Sequence, residues 1–253
     1  MVNAMISSCK LLISIVSHGQ MELVNKLLLS LDKCNLENCR VVVRSNIDEP
    51  EPIFPQQLDC IHIKNLRPSG FSANHNKNFE LLESTYFAVL NPDIIIKDEE
   101  IFNKITNIID QKPKNLVCPR ILNEKCEVAD SVRRFPTLTV MLRRLLYSRN
   151  KVNNYPPFEK SIEKVDWCAG MFQVYPSTLY REMRGFDEKY FLYCEDVDMG
   201  LRLVRNGYST FVPKEIFAIH YARHDSHRKI KYLILHIKSF FRLYFNLYFK
   251  SKK

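Results

Sequence analysis

The feature that most constrains the fold is a series of short apolar runs that alternate with helical apolar patterns. The first run, Lys10 to Val16, is followed by a helical pattern over Glu22 to Leu31 and by a second apolar run, Arg40 to Val43. A continuous apolar run of this length is typical of a strand that is buried on both faces of a sheet. The alternation predicts an α/β domain with a doubly wound, mostly parallel sheet.

The first half of the chain continues this alternation. Apolar runs predict strands over Ile61 to Ile63, Tyr86 to Leu90 and Ile94 to Ile96, and a helix opens at Gly70 and runs to about Leu82. The second half is less regular. Its predicted elements are strands over Leu116 to Pro119, Val165 to Val174 and Ser209 to Val212, a basic loop over Ser131 to Pro136, a helix over Thr137 to Ser148 and a mobile lid over Lys151 to Glu163.

Polar residues stand at the carboxyl ends of three predicted strands, where doubly wound sheets bind their ligands. They are Ser17-His18, Ser45-Asn46 and Asn91-Pro92-Asp93. The proline turn is expected to point the Asp93 carboxylate towards solvent. Asp93 is then either a turn residue of the Asx type or an oxygen ligand of a divalent cation that also holds a substrate diphosphate.

His220 is the second candidate ligand for such a cation, or a phosphate contact, with a buried and hydrogen-bonded imidazole as the alternative. His220, His224 and His227 could also form a zinc set. However, no thiolate or carboxylate partner stands at a recognised spacing from them, so the pattern disfavours zinc.

The stretch from Gly185 to Asp198, GFDEKYFLYCEDVD, places five large apolar side chains between two acidic groups. Burial of the aromatic rings would draw the second acidic group to the wall of a cleft. A helical apolar pattern follows and ends near Gly207, so Glu195 and Asp196 fall in the first turn of a helix. There they either stabilise the helix dipole and the free N–H groups or act in catalysis.

Positive charge is concentrated at the C-terminus. The chain carries 37 Lys and Arg against 28 Asp and Glu, a net charge of +9. Ser226 to Lys253 holds eight Lys and Arg and no acid, which leaves 29 basic residues against 28 acids in the rest of the chain. A body so nearly neutral argues against nucleic acid as a partner, because nucleic-acid-binding domains carry a basic face.

The basic tail is predicted to be an amphipathic helix, whose polar stripe consists of Lys231, Lys238, Arg242, Asn246 and Lys250. Basic residues interrupt the apolar run, so the tail falls short of the roughly 20 apolar residues that span a bilayer. It is expected to lie in the interface of an anionic membrane with its basic face towards the headgroups. A helix packed on the domain or on a second subunit is the alternative. We therefore divide the chain into a domain over residues 1–225 and a membrane-associating tail over residues 226–253.

The cysteines and the N-terminus point to the cytoplasm. The eight cysteines are scattered and form no C-x-x-C pair, so free thiols are expected. The short apolar run near the N-terminus is not followed by a cleavage site of small residues, so no signal peptide is expected.

Six motifs together resemble the inverting family 2 glycosyltransferases of the GT-A fold. In chain order they are ISIVSHG (13–19), NLRPSGFSANHN (65–76), LNPDI (90–94), VDWCAG (165–170), GFDEKYFLYCEDVDMGLRL (185–203) and AIHYARHDS (218–226). The similarity runs from about Leu11 to Phe249. NPDI, DWCAG, YCEDVD and IHYARHD are similar to the rhamnosyltransferases of bacterial O-antigen synthesis. The resemblance implies a single GT-A (Rossmann-like) domain.

The resemblance also implies the reaction. L-Rhamnose would move from dTDP-β-L-rhamnose to O3 of N-acetylglucosamine on diphospho-undecaprenol in lipopolysaccharide synthesis, with Mg²⁺ or Mn²⁺ as the cofactor. The enzyme would be peripheral on the cytoplasmic face of the bacterial inner membrane. The alternatives are a transferase of another nucleotide sugar or acceptor, and a non-catalytic subunit that binds nucleotide sugar or lipid. The oligomeric state, a homo-oligomer included, stays open.

Individual residues take roles by the same resemblance. Asp196 matches the catalytic base, with Glu195 beside it, and Asp93 and His220 match the metal ligands. The other assignments are Ser17, His18, Asn46 and Asn91 at the nucleotide, Trp167, Cys168 and Ala169 at the acceptor, and Arg223 and His224 at the diphosphate.

Two positions depart from the family pattern. Asn91 stands where many relatives have the first acid of a D-x-D metal motif, which would weaken metal binding. Ser45 stands where an acid often contacts the nucleotide base, so the thymine contact is not assigned.

Overall fold

The first half of the chain folds as its alternating patterns predict. A computed structural model of the protein describes residues 8–129, 131–135, 160–221 and 230–248. Its first elements are β1 (Cys9–Ser17), α1 (Met21–Leu31), β2 (Cys39–Ser45), β3 (Cys60–Lys64), α2 (Phe71–Phe79), β4 (Ser84–Leu90) and β5 (Ile94–Ile95). The strands and helices predicted here are confirmed, with ends that differ by a few residues.

The second half contains shorter elements. They are α3 (Ile101–Gln111), β6 (Leu116–Val117), β7 (Arg120–Leu122), β8 (Val132–Arg133), β9 (Ile162–Val165), β10 (Trp167–Cys168), β11 (Phe172–Pro176), α4 (Ser177–Glu182), α5 (Glu195–Arg205), β12 (Thr210–Pro213), β13 (Phe217–His220) and α6 (Ile230–Tyr248). The sequence reading missed α3 and α4. It also treated β8 as part of a basic loop and the start of β9 as part of the lid.

Eight strands form one sheet in the order β3-β2-β1-β4-β11-β6-β12-β9. Neighbours among β3, β2, β1 and β4 are parallel, as are β6 and β12. Strands β11 and β9 run antiparallel to their neighbours. The mostly parallel sheet is therefore confirmed. Two smaller sheets pair β10 with β8, and β13 with β5 and β7.

Apolar clusters cover both faces of the large sheet. Ile13 and Ile15 of β1 pack in one cluster with residues of α1 and α3, whereas Leu12 packs in a second cluster with residues of α4 and α5. Successive side chains of a strand point to opposite faces. Because both faces of the central strands are covered, these strands have continuous apolar sequences.

The single strand predicted over Val165 to Val174 is wrong. After β9 the chain leaves the large sheet, and β10 pairs with β8 in a separate two-stranded sheet. The chain then returns to the large sheet, where β11 pairs with β4. Between them, the Ala169 amide donates to the Ser131 carbonyl at 2.8 Å, and the Met171 carbonyl accepts from the Asn91 amide at 2.9 Å. These contacts replace the hydrogen-bond ladder of a continuous strand. They place the segment between β10 and β11, the break in the predicted strand, beside the end of β4.

The C-terminal helix α6 packs against the domain, as the alternative to an interfacial helix predicts. Leu243 is 1% exposed and lies in an apolar cluster with Trp167 and Tyr190. Arg242 and Asn246, from the predicted polar stripe, turn towards the domain because they pair with its polar groups. Among the residues that the structure describes, no helix combines the length and the apolar character needed to span a bilayer.

Some predictions fall outside the described residues. They are the helix over Thr137 to Ser148, most of the lid over Lys151 to Glu163, and the diphosphate contacts of Arg223 and His224. The division of the chain at residue 225 stays a prediction.

Candidate active site

The acidic stretch enters α5 through a tight turn of the backbone. Tyr193 and Cys194, directly before the helix, both have positive φ, of 71° and 69°. A non-glycine residue held in this left-handed region costs of the order of 1–3 kcal/mol. Gly70 lets the loop lie against the start of α2, because a Cβ at residue 70 would be 2.7 Å from the carbonyl oxygen of Phe191. The acids that follow are thereby held beside the carboxyl end of the sheet.

Of the three acids in the first turn of α5, Asp196 is the one that solvent can reach, since it is only half-buried. Its Oδ2 accepts a hydrogen bond from the Gly170 amide at 3.1 Å, and its Oδ1 accepts one from the Val197 amide at 2.8 Å. Burial raises the pKa of Asp196, and the two amides together with nearby Arg133 oppose that rise. A reachable carboxylate with a raised pKa can take the proton of a substrate hydroxyl.

Glu195, in contrast, is 6% exposed. Burial, and then the charge of Asp196, raise the pKa of Glu195 well above its usual range. Within the described part of the chain, Oε2 of Glu195 has no hydrogen-bond partner. Burial without a partner for this oxygen disfavours the charged form of Glu195, whereas two backbone amides stabilise the charged form of Asp196. This division makes Asp196, rather than Glu195, the candidate base.

The third acid, Asp198, is part of a buried network. It is 4% exposed and accepts a hydrogen bond from Nε of Arg202 at 2.7 Å. The Tyr190 hydroxyl and the Asn246 amide nitrogen lie 3.5 and 3.4 Å from its Oδ1. Arg202 neutralises the charge of Asp198, so this acid holds α5 in place instead of facing a ligand.

Strands β5 and β13 bring Asp93 and His220 together. Their antiparallel pairing sets His220 opposite Ile94, and Nε2 of His220 lies 3.1 Å from Oδ2 of Asp93. The expectation that Asp93 faces solvent is wrong, because its side chain is 13% exposed and turns towards His220. The Tyr221 amide donates to the Asp93 carbonyl at 2.9 Å and fixes the turn.

Asp93 and His220 fit a divalent cation as part of a ligand set. Oδ1 of Asp93 is buried and, among the described residues, has no hydrogen-bond partner. Carboxylate oxygen and imidazole nitrogen are ordinary ligands of divalent metals. The described ranges contain no group of three His, Cys, Asp or Glu side chains suited to a metal. Asp93 and His220 would supply two of the ligands of a cation bound here.

A short segment joins the candidate base to the candidate metal ligands. The Gly170 amide binds the Asp196 carboxylate, and the neighbouring Met171 carbonyl accepts a hydrogen bond from the Asn91 amide. Asn91 opens the turn that carries Asp93. Two consecutive residues thus hold both parts of the site at the end of β4.

Asn46 is the centre of a hydrogen-bond network on the side of the site where the nucleotide is predicted to bind. Its Oδ1 accepts from Nδ2 of Asn65 at 3.0 Å and from the Ser69 amide at 2.8 Å. Its Nδ2 donates to the Ser69 carbonyl at 2.9 Å and lies 3.1 Å from Nδ1 of His18. All four hydrogen-bonding positions of this amide are used, so Asn46 positions its neighbours. His18 is exposed and keeps Nε2 for a ligand.

Glu49 also lies on the predicted nucleotide-binding side of the site, and the sequence alone did not identify it. Ser17 donates from Oγ to Oε2 of Glu49 at 2.7 Å, and Oε1 of Glu49 is buried without a partner in the described part of the chain. Ser45, at the position where relatives often have an acid, lies 2.9 Å from Nε2 of His62 instead. The signal in the sequence was the acidic pair Asp48-Glu49 just after the end of β2.

The residues assigned to the acceptor divide into buried and accessible ones. Trp167 and Cys168 are 5% and 3% exposed, and the Trp167 indole donates to the Arg134 carbonyl at 3.1 Å. Ala169 and Gly170 are half-buried. Trp167 and Cys168 therefore support, from the core, a surface that Ala169 and Gly170 form.

The sequence is similar to known rhamnosyltransferases. Over 244 residues it is 32% identical to rhamnosyltransferase WbbL of Escherichia coli strain K12, a match that covers 91% of this chain and 90% of the relative. Over 82 residues it is 35% identical to an N-acetylglucosaminyl-diphospho-decaprenol L-rhamnosyltransferase of Mycobacterium tuberculosis, which covers 32% of this chain and 27% of that relative. No model of a known protein family matches the chain.

The fold is shared with solved glycosyltransferases. The structure of mannosyltransferase PcManGT from Pyrobaculum calidifontis, in complex with GDP-Man and Mn²⁺, matches with a TM-score of 0.61 at 10% identity. The match covers 93% of this chain, which spans 65% of the length of that chain. At this identity the likeness shows the fold alone, and that fold is GT-A.

Proposed function

Because the chain belongs to the rhamnosyltransferases of glycosyltransferase family 2, we propose that it moves L-rhamnose from dTDP-β-L-rhamnose to O3 of N-acetylglucosamine on diphospho-undecaprenol. The transfer inverts the anomeric carbon. The observation that supports this most is the contrast between Glu195, which is buried, and the neighbouring Asp196, which is half-buried and has both carboxylate oxygens bound by backbone amides. Gly170 and Met171 join this pair to the turn that carries Asp93.

Asp196 is the base of the proposed reaction. Displacement at the anomeric carbon passes through an oxocarbenium-like state, as in glycoside hydrolysis. Asp196 takes the proton of the acceptor hydroxyl as its oxygen bonds to the anomeric carbon, on the face opposite the departing dTDP. The Gly170 and Val197 amides hold the two carboxylate oxygens in place. The raised pKa of Asp196 makes it a stronger base than an ordinary aspartate.

The donor would lie beside Asp93 and His220, across the segment between β10 and β11 from Asp196. Asp93 and His220 would hold Mg²⁺ or Mn²⁺, which would neutralise the charge of the departing diphosphate. A mannosyltransferase of the same fold, solved in complex with GDP-Man and Mn²⁺, supports a nucleotide sugar and a divalent cation as ligands. His18, with Nδ1 bound to Asn46, carries its proton on Nε2 and can donate to a nucleotide oxygen. Ser17 and Glu49 complete this side, and Arg223 and His224 stay proposed contacts of the diphosphate.

The lipid part of the acceptor requires a membrane surface, and α6 offers one. Its face away from the domain exposes Ile234, Phe241 and Phe245 at 48%, 63% and 56%, with the exposed Lys238 among them. Rings and alkyl chains at this position insert between lipids, and a tail rich in Lys and Arg is attracted to anionic headgroups. The protein would lie peripherally on the cytoplasmic face of the inner membrane, with the apolar rather than the polar stripe of α6 turned to the lipid.

The test of the proposed function is the release of dTDP from dTDP-rhamnose. Release is expected only when N-acetylglucosamine on a polyprenyl diphosphate is added, and the product should carry rhamnose with inverted configuration. Release of the nucleotide without acceptor, or none with it, would contradict the proposal.

A second candidate is an inverting transfer from another nucleotide sugar. The Ser45–His62 pair, in place of an acid that contacts the base, favours this alternative because it changes the polar groups available to a pyrimidine. Competition among UDP-, GDP- and dTDP-sugars in the same assay would separate the two candidates.

A further inference from the structure

The loop that leads into the base is covered by α6. Ser239 donates from Oγ to the Leu192 carbonyl at 2.8 Å, and Nη2 of Arg242 lies 3.5 Å from Oδ2 of Asp187. The Arg242 guanidinium also lies 5.5 Å from the ring centroid of Tyr190. These contacts run along the loop from its start to the turn before α5.

Asn246 ties three parts of the site region together. Its Nδ2 donates to the Tyr190 hydroxyl at 3.1 Å and lies 3.4 Å from Oδ1 of Asp198. The backbone carbonyl of Asn246 accepts a hydrogen bond from Nη2 of Arg205 at 3.0 Å. Asn246 is 8% exposed, so these bonds are shielded from water. A buried amide of this kind is expensive to leave without partners, which gives the arrangement its specificity.

Asp196 lies between the two points that α6 holds. Ser239 binds the chain four residues before Asp196, at Leu192, and Asn246 binds it two residues after, at Asp198. Between these points the backbone carries the left-handed Tyr193-Cys194 pair. A strained segment persists only where its surroundings hold it. When α6 contacts are lost, the turn is free to relax and to carry the Asp196 carboxylate with it.

We propose that α6 is a positioning element of the catalytic site, and that Asn246 and Ser239 are positioning residues for Asp196. The inference rests on the proposed function, in which Asp196 is the base. It gives α6 two faces with separate tasks. The inner face holds the loop before α5, and the outer face is free for lipid.

The experiment uses full-length variants and a short-chain, detergent-soluble diphosphate acceptor, so that membrane attachment does not enter the result. Asn246→Leu keeps the approximate volume and removes the two contacts of the side-chain Nδ2, with Tyr190 and Asp198. Ser239→Ala is compared with Ser239→Thr, which restores a hydroxyl. We expect kcat, calculated for the fraction of protein that binds donor, to fall about tenfold in Asn246→Leu and several-fold in Ser239→Ala. The KM for dTDP-rhamnose should be unchanged, and Ser239→Thr should recover most of kcat. Asn107→Leu, the same substitution on an exposed face of α3, should behave as the original protein.

Hydrogen exchange of the backbone amides gives a second measurement that does not depend on activity. In Asn246→Leu the amides of 190–198 should exchange faster, while those of Asn46 and Asn65 should not change. Unchanged kcat together with unchanged exchange in 190–198 would overturn the proposal, and so would an equal acceleration throughout the protein. If the original protein transfers no rhamnose, the proposed function fails, and the exchange pattern alone then decides whether α6 holds the loop.

Discussion

The backbone nitrogen of Gly170 lies 3.1 Å from Oδ2 of Asp196. This contact crosses from the break between β10 and β11 to the first turn of α5, and it orients the carboxylate without neutralising it. A Cβ at residue 170 would lie 3.4 Å from the ring of Phe71 and 3.9 Å from Cβ of Asp196. Any side chain larger than alanine would therefore push against the group that the proposed chemistry needs to hold still.

Replacement of the base should remove the chemical step. Asp196→Asn keeps the size of the side chain and part of its hydrogen bonding but cannot take a proton, so kcat should fall by about 10²–10⁴-fold. Donor binding, measured by titration with dTDP-rhamnose or dTDP, should hardly change. Glu195→Gln should be milder, since Glu195 is buried and its raised pKa already favours the neutral form. An Asp196→Asn protein that turns over near the normal rate would make Asp196 a helix-capping residue.

The raised pKa of Glu195 predicts an effect of pH on stability. The folded protein keeps the proton of Glu195 above pH 4.5, the ordinary pKa, whereas the unfolded chain loses it. The contribution of Glu195 to stability is therefore complete below that pH and is lost as pH rises through the folded pKa, at no more than about 1.4 kcal/mol per pH unit. Glu195→Gln should raise the melting temperature at about pH 8 and have little effect near pH 4. A difference that does not grow with pH would mean that Glu195 is charged in the folded state.

The proposed cation predicts a dependence on Asp93. EDTA should abolish transfer, and Mg²⁺ or Mn²⁺ should restore it, because the cation neutralises the leaving diphosphate. Asp93→Ala should stay inactive over the whole range of added metal, whereas Asp98→Ala, at a half-buried acid paired with Lys104, should respond as the original protein. Full activity in EDTA would leave stabilisation of the diphosphate to Arg223 and His224.

His75 predicts a loss of stability in acid. It is 1% exposed, its Nδ1 lies 2.7 Å from Oγ of Ser14, and burial lowers its pKa to about 3. Below pH 6.5, the ordinary value, the unfolded chain takes up a proton that the folded protein does not. Stability present above pH 6.5 is then lost by up to about 1.4 kcal/mol per pH unit as pH falls towards the folded pKa. In chemical unfolding between about pH 7 and pH 5, His75→Gln should show a flatter profile, and parallel profiles would assign the acid sensitivity to other groups.

The outer face of α6 predicts membrane attachment through apolar side chains. The variant with Phe241→Ser and Phe245→Ser should sediment poorly with anionic vesicles, and Lys238→Glu should weaken binding by the order of 1 kcal/mol or more because a charge near the surface is reversed. High salt should weaken the binding of the original protein. Leu29→Ser, at an apolar residue of α1 that is 60% exposed, is the matched control. Equal sedimentation of all these proteins would refute the assignment of this face.

The alternation of strands and helices could be determined from the sequence because burial imposes it locally. Ile13 and Val41 lie on strands covered on both faces, and such strands need apolar residues at every position. The polar residues that end these strands could be placed for the same reason, since parallel strands end at one edge of the sheet. The first turn of α5, with Glu195 and Asp196, followed from helical spacing alone.

Contacts between distant segments were decided by the tertiary structure. The break at Ala169 is set by hydrogen bonds to Ser131 and, through Met171, to Asn91, and no periodicity in VDWCAGMFQV records them. The burial that separates the pKa of Glu195 from that of Asp196 likewise depends on neighbours far along the chain. Burial raises the pKa of both adjacent acids, and it raises that of Glu195 well above the usual range, although the two have nearly the same sequence environment.

The tail is the clearest case of a choice that only packing could make. Its sequence contains both a polar and an apolar stripe, and either could face solvent in an isolated helix. Arg242 and Asn246 of the polar stripe have charged or buried partners on the domain and turn inward, whereas Lys238 of the same stripe lies outside with Phe241 and Phe245. The sequence determined that the helix is amphipathic, whereas the hydrogen-bonding groups of the domain surface decided which side of the helix faces the domain. The physical reason is that burial of a polar group costs free energy unless the group finds a hydrogen-bond partner.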